Sequence, residues 1–172
     1  APAYMAISLA TADGPMTLEL ERWAPLADGF TVRTATKDRV QVEPGLHYRG
    51  RVRGDDHSVV GLSVFRDEVM AMVQDRQGTL VVGRLGNADA GIHIIYREHD
   101  LRRRDAFSCG TLPTQETIHP SELQDSGERS VRCVKLYWEV DYPIFTNKGS
   151  VLAATNYVTG LFNQSAILFD ND

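Results

Sequence analysis

The chain has 172 residues, 42% of them hydrophobic, with a formal net charge of −5, enough for one domain of ordinary size or one and a part. The acidic balance argues against a nucleic-acid or anionic-membrane surface, and no stretch is long and apolar enough to span a bilayer. Two cysteines, Cys109 and Cys133, permit one bridge but define no disulfide framework, and their spacing fits no zinc-ligand pattern.

Residues 1–100 read as β-rich. Met16–Glu21 alternates apolar and polar residues, as a half-buried strand does, and Phe30–Ala35 and Arg39–Val42 repeat the pattern. His47–Arg53 is a further strand with Gly50 as a candidate bulge, and Gly54-Asp55-Asp56 forms a turn. Ser58–Phe65 and Glu68–Gln74 follow. Asp75–Gly78 is a hairpin turn leading into Thr79–Gly83, and Gly91–Tyr96 completes the set. Many short strands at close intervals predict a sandwich or an open barrel, with no helix before residue 149. Residues 101–130 contain Pro113 and Pro120, lack periodicity and read as a linker that carries Cys109.

Residues 131–172 read as a β-α-β unit, which makes the whole α+β. Arg132–Asp141 is predicted as a buried strand and Ser150–Gln164 as a helix. Ala166–Phe169 is predicted as a second strand with an open edge, through which copies of the chain would pair. Val151, Ala154, Val158, Leu161 and Phe162 recur at helical spacing and predict the face laid on the sheet.

The apolar strand ending in Val140-Asp141, then Phe145, Gly149 and the helix through Asn156-Tyr157-Val158 and Leu161-Phe162, resembles the opening of a reprolysin-type (adamalysin, ADAM-like) zinc metalloprotease catalytic domain. His47-Tyr-Arg-Gly-x-Val, with Asp55-Asp-His-Ser-Val-Val-Gly-Leu-Ser-Val, is similar to the pro-domain of the same family. The two resemblances lie in the family's order. They imply a secreted pro-region joined to the first part of a catalytic domain, with zinc and its ligands elsewhere in the parent and no cofactor in this chain. The expected partner is the parent's catalytic domain, and the expected function is latency and folding assistance; the alternative is a secreted structural protein that self-assembles by completing its open sheet edge with another chain. Lys135 stands where the family often has a calcium-binding Glu, so that site is not carried over.

The resemblance makes Cys109, in Phe107-Ser-Cys-Gly, a candidate zinc switch whose thiolate would cap the catalytic zinc and displace its water. A disulfide between Cys109 and Cys133 is the competing reading, and one sulfur cannot do both. The histidines His47, His57, His93, His99 and His119 form no His-Glu-x-x-His. Arg97-Glu-His-Asp100 reads as a solvated turn, and His47 and His93 as strand-surface residues. Asp55, Asp56 and Asp89 lack calcium-loop spacing and read as turn chemistry. Glu139 and Asp141 would share a strand face, with Asp141 capping its end. Ser58, Ser63 and Ser108 have no evident His or Asp partner in the sequence pattern, and no Gly-x-Ser-x-Gly is present. Asn163-Gln-Ser165 is a formal glycosylation sequon on the predicted helix, where a structural role is expected instead. No catalytic residue and no metal ligand is assigned.

Overall fold

The structure, a computed structural model, describes residues 1–86, 91–102 and 136–169. The chain divides into two compact units, Ala1–Leu101 with Glu139–Asp172, and Arg102–Trp138. In the first unit β1 (Tyr4–Thr11), β2 (Gly14–Trp23), β5 (Leu46–Val52), β6 (Asp55–Val64), β7 (Val69–Asp75), β8 (Gly78–Arg84) and β9 (His93–Arg97) form one seven-stranded sheet. Every neighbouring pair is antiparallel, and a separate hairpin of β3 (Val32–Thr34) and β4 (Lys37–Val40) is inserted between β2 and β5. The helices α1 (Tyr142–Lys148) and α2 (Val151–Phe169) follow in the C-terminal part.

The period of two decides which side of the sheet is apolar, because a one-residue slip would turn every side chain over. In register, Ile7 faces Leu18, Leu18 faces Val52, and Tyr48 faces Leu62. The row continues from Leu62 to Ala71, from Ala71 to Val82 and from Val82 to Ile95. These residues, with Leu20, Val60, Val73 and Leu80, form the hydrophobic core. Gly50 lies in this row opposite Leu20 and Val60. The β5–β6 register shifts between Gly50 and Val52, as the bulge reading of Gly50 expects, and a β-carbon there would collide with the Glu19 carbonyl.

The sheet is strongly curved. Its edge strands β1 and β9 are six strand spacings apart, which would be roughly 29 Å in a flat sheet. Arg97, at the end of β9, nevertheless reaches Asp13 in the β1–β2 turn at 3.0 Å. Its guanidinium also grips Asp75 through two parallel bonds of 2.8 and 3.0 Å. Bonds to Gln77 Oε1 and the Gly78 carbonyl occupy its remaining N–H groups. Burial pushes the Asp75 carboxyl up, but the hydrogen bonds from Arg97 and from the Gln77 and Gly78 backbone outweigh it and hold the group below its ordinary range. Arg97 is therefore a buried clasp, and only Glu98–Asp100 behaves as the exposed turn expected for this stretch.

The β-rich expectation holds, and the C-terminal unit differs from its prediction. Residues 136–141 form no strand, and Leu136, Tyr137 and Trp138 are exposed. Asp141 caps a helix instead, its carboxylate accepting from the Ile144 backbone N–H at 3.1 Å. With Pro143 in the first turn this is a helix start, read as a strand end because the preceding residues alternate. Gly149, at φ 77°, closes α1 in the left-handed conformation. Ser150 opens α2 by accepting from the Ala153 N–H at 3.1 Å. Ala166–Phe169 is the last turn of α2 and not a strand: no Gly or Pro interrupts the helix after Gly160, so hydrogen bonding continues to Phe169. Pairing of copies through a strand there has no strand to use.

Candidate functional site

The side of the sheet away from the core carries α2. The helix meets it with Thr155, Thr159, Gly160, Asn163, Gln164 and Ile167, which are buried. Of the face expected from apolar spacing only Ala154 is buried; Leu161 is exposed and Val151, Val158 and Phe162 are half-buried. Small groups decide the approach. A β-carbon on Gly61 of β6 would lie 2.9 Å from Ile167 Cδ1 and 3.3 Å from the Gln164 α-carbon. One on Gly160 would lie 2.6 Å from Met70 Sδ. At so close a separation, bulky residues are excluded and the polar atoms of both partners must find each other.

They do so through one relay. Trp23 Nε1–H donates to Asn163 Oδ1 at 2.6 Å. Asn163 Nδ2 donates to Ser63 Oγ at 3.0 Å and to the Leu62 carbonyl at 3.1 Å. Ser63 Oγ lies 2.9 Å from His47 Nδ1, and His47 Nε2 lies 2.8 Å from the Pro44 carbonyl. A carbonyl only accepts, so Nε2 carries the proton and Nδ1 takes the Ser63 hydroxyl. Asn163 and Ser63 are 0% exposed and His47 4%. Burial lowers the proton affinity of His47, the Pro44 carbonyl raises it, and the net direction is down from its ordinary value. Phe65 meets the imidazole edge-on at 5.9 Å, and Arg49 lies over the Trp23 ring at 5.3 Å while bonding Glu21 at 2.8 Å.

The expectations for single residues divide accordingly. His47 is buried and not a strand-surface residue, because α2 covers it. Ser63 has a histidine partner that no local pattern revealed, 16 positions away in the chain and directly opposite in the β5–β6 register. The pair resembles a nucleophile and its base, but a hydroxyl with no exposed surface under a helix meets no substrate; its chemistry here is recognition of Asn163. The sequon at Asn163 is closed in this fold, as both ends of its amide are engaged. Ser58 donates to the Asp55 carbonyl and accepts from Val52 N–H, and Asp55 accepts from His57 N–H, so this loop is turn chemistry. His93 accepts the Val69 N–H at 2.9 Å, and His57 and His99 are exposed. Glu139 is exposed and precedes a helix. Cys109, Cys133, Ser108, His119 and Asp89 lie outside the described residues. Among the described residues, no group of three or more His, Cys, Asp or Glu side chains could hold a metal ion.

Trp23 and Asn163 were not singled out for this contact in the sequence, although Thr155, Thr159, Asn163 and Ile167 recur every four residues and mark one helix face. Asn163→Ala would leave the Trp23 N–H and the Ser63 and Leu62 acceptors without their partner. It is expected to cost about 3 kcal/mol of α2 docking. Urea unfolding followed by Trp23 fluorescence in a Trp138→Phe background should show an earlier helix-release transition; an unchanged midpoint would contradict the relay.

No family model, no curated protein and no solved structure matches the chain.

Proposed function

We propose that the chain is the pro-region and catalytic-domain opening of a secreted reprolysin-like zinc metalloendopeptidase. Its β domain would keep the parent latent and assist folding by holding α2. The observation that supports this reading is the seating of α2 through Asn163 on Trp23, Ser63 and the Leu62 carbonyl. The helix that resembles the first helix of the catalytic domain thus rests on the sheet that resembles the pro-domain. A pro-region must select its own catalytic domain, and a buried relay with every donor matched is directional where an apolar contact is not.

The outward side of α2, with Leu152, Leu161, Leu168 and Phe169 exposed, is then available to the remainder of the catalytic domain. The finer α+β and sandwich assignments belong to this proposal, as do secretion and the division at residues 100 and 130. Zinc, with its His-Glu-x-x-His ligands and glutamate base, would belong to the parent beyond these residues. This chain is expected to hydrolyse nothing by itself.

Cys109 is the candidate inhibitory ligand in this reading, unless it is bonded to Cys133. The test begins with the coding sequence following the Asp172 codon, where His-Glu-x-x-His-x-x-Gly-x-x-His is expected. Its absence from the parent's open reading frame would sink the assignment. In the unprocessed parent, Cys109→Ser should release peptide-bond hydrolysis at least tenfold. Unchanged latency, or no free thiol when the unreduced chain is denatured, would remove Cys109 from that role.

A further inference from the structure

The relay beneath α2 contains one group that titrates near neutral pH. The Trp23 N–H fixes which end of the Asn163 amide is oxygen, so Nδ2 must face Ser63 and the Leu62 carbonyl. Ser63 therefore receives a hydrogen from Asn163 and gives its own to His47 Nδ1, while His47 Nε2–H is committed to Pro44. The last bond, Ser63 O–H to Nδ1, requires the neutral imidazole. A proton on Nδ1 takes away the acceptor of the Ser63 hydroxyl and places a full charge under the helix.

We infer that this relay is a pH-operated latch, in which protonation of His47 under mildly acidic conditions unseats α2 while the β domain stays folded. The inference rests on the holding role proposed for the β domain and not on the identity of the parent.

The surroundings offer the imidazolium little compensation. Helix α2 carries no Asp, Glu, Lys or Arg from Val151 to Phe169. The charged groups around His47 are Arg49 on its own strand, Glu21 and Arg22 on β2, Glu43 in the loop before Pro44, Arg66, Asp67 and Glu68 in the β6–β7 turn, and Asp28 and Arg39, which line the same cavity as His47. Glu21 is already bonded to Arg49. The groups bonded to the ring itself are a hydroxyl and a carbonyl.

The sign follows from linkage. Folding holds the His47 proton affinity below the unfolded value of about 6.5, so the docked state binds fewer protons. Docking is complete above that value and is lost as pH falls from there toward the lower folded value. Each unit of lowering corresponds to about a tenfold weakening of docking. The clasp at the other end of the sheet survives this window. Asp75 is held below the ordinary carboxylate range, and its contribution is lost only as pH falls through that lower value.

The test is a titration of the Trp138→Phe chain from about pH 7.5 to 5, following Trp23 emission together with the far-ultraviolet signal of the sheet. The expected result is a reversible red shift with its midpoint below about 6.5, a retained β signal, and a loss of docking as the pH falls. In His47→Gln, whose amide can accept from Ser63 and donate to Pro44 without titrating, the transition should disappear. Constant emission in the parent chain, or the same midpoint in His47→Gln, overturns the latch. Should that variant fail to fold, nuclear magnetic resonance of the unsubstituted chain decides: a His47 ring that titrates while the α2 amides stay fixed also overturns it. A helix already undocked at pH 7.5 would instead strike down the holding role itself.

Discussion

Arg97→Leu is expected to destabilise the β domain by about 3–5 kcal/mol, a large part of the stability of an ordinary domain. The Arg97 side chain is 5% exposed and that of Asp75 9%, so removing the cation leaves a largely buried carboxylate without its partner. The loss extends beyond one pair. The same guanidinium holds the β1–β2 turn through Asp13 and the β7–β8 turn through Asp75, Gln77 and Gly78, and so ties together the ends of a curled sheet. Thermal unfolding should shift down by roughly 10 °C or more in a chain of this size. Arg97→Lys should fall between the two, because an ammonium keeps the charge and loses the fork. A change under about 1 kcal/mol for Arg97→Leu would show that the clasp contributes little beyond a surface pair.

Gly50→Ala is expected to be as damaging, for a steric reason. The added β-carbon has no room beside the Glu19 carbonyl and also lies against the Leu20 α-carbon, both backbone groups of the neighbouring strand. Backbone cannot turn aside as a side chain can, so β2 and β5 must separate where the bulge bends the sheet. A cost of about 3 kcal/mol or more is expected, with loss of protection in hydrogen exchange at the Glu19 and Glu21 amides, which face β5, since the Arg22 N–H bonds to Ala3 on the β1 side. Gly83→Ala, where nothing lies within 4 Å of the new carbon, serves as the control and should fall within about 1 kcal/mol of the parent. Equal effects at the two positions would mean that the cost is conformational entropy and not the close approach.

The two variants report on features of different legibility. The Gly50 bulge was readable because a lone glycine within an alternating strand has few other reasons to be there. The Arg97 clasp was not, since its partners Asp13 and Asp75 lie 84 and 22 positions away in the chain. The same limit hid the relay. His47 and Ser63 are 16 residues apart, and Trp23 and Asn163 are 140 apart. Alternation tells which residues share a side of a strand, but not what later covers that side. His47 therefore read as a surface residue until α2 was seen above it.

The C-terminal region shows where local pattern misled. The run before Asp141 alternates well enough for a strand, yet residues 136–140 form none and no strand follows α2 in the described residues. A strand requires a neighbouring edge to bond with, whereas a helix satisfies its backbone internally. The helix starts at Asp141 with Pro143 and at Ser150 depend only on adjacent residues; the one at Ser150 matches the sequence reading, and the one at Asp141 was read as a strand end.

By itself the sequence determined the β-rich class, the apolar row of most strands, the bulge at Gly50, the turns at Asp55 and Asp75 and the presence of a long helix from about residue 150. These rest on the two-residue and 3.6-residue periods and on local turn chemistry, which act over a few positions. The tertiary structure decided the curl of the sheet, the clasp at Arg97 and the choice of the small, polar face of α2 over its more apolar one. That choice follows from close approach: Gly61 and Gly160 bring helix and sheet together, and at that distance Asn163 finds partners that a larger apolar side chain would displace.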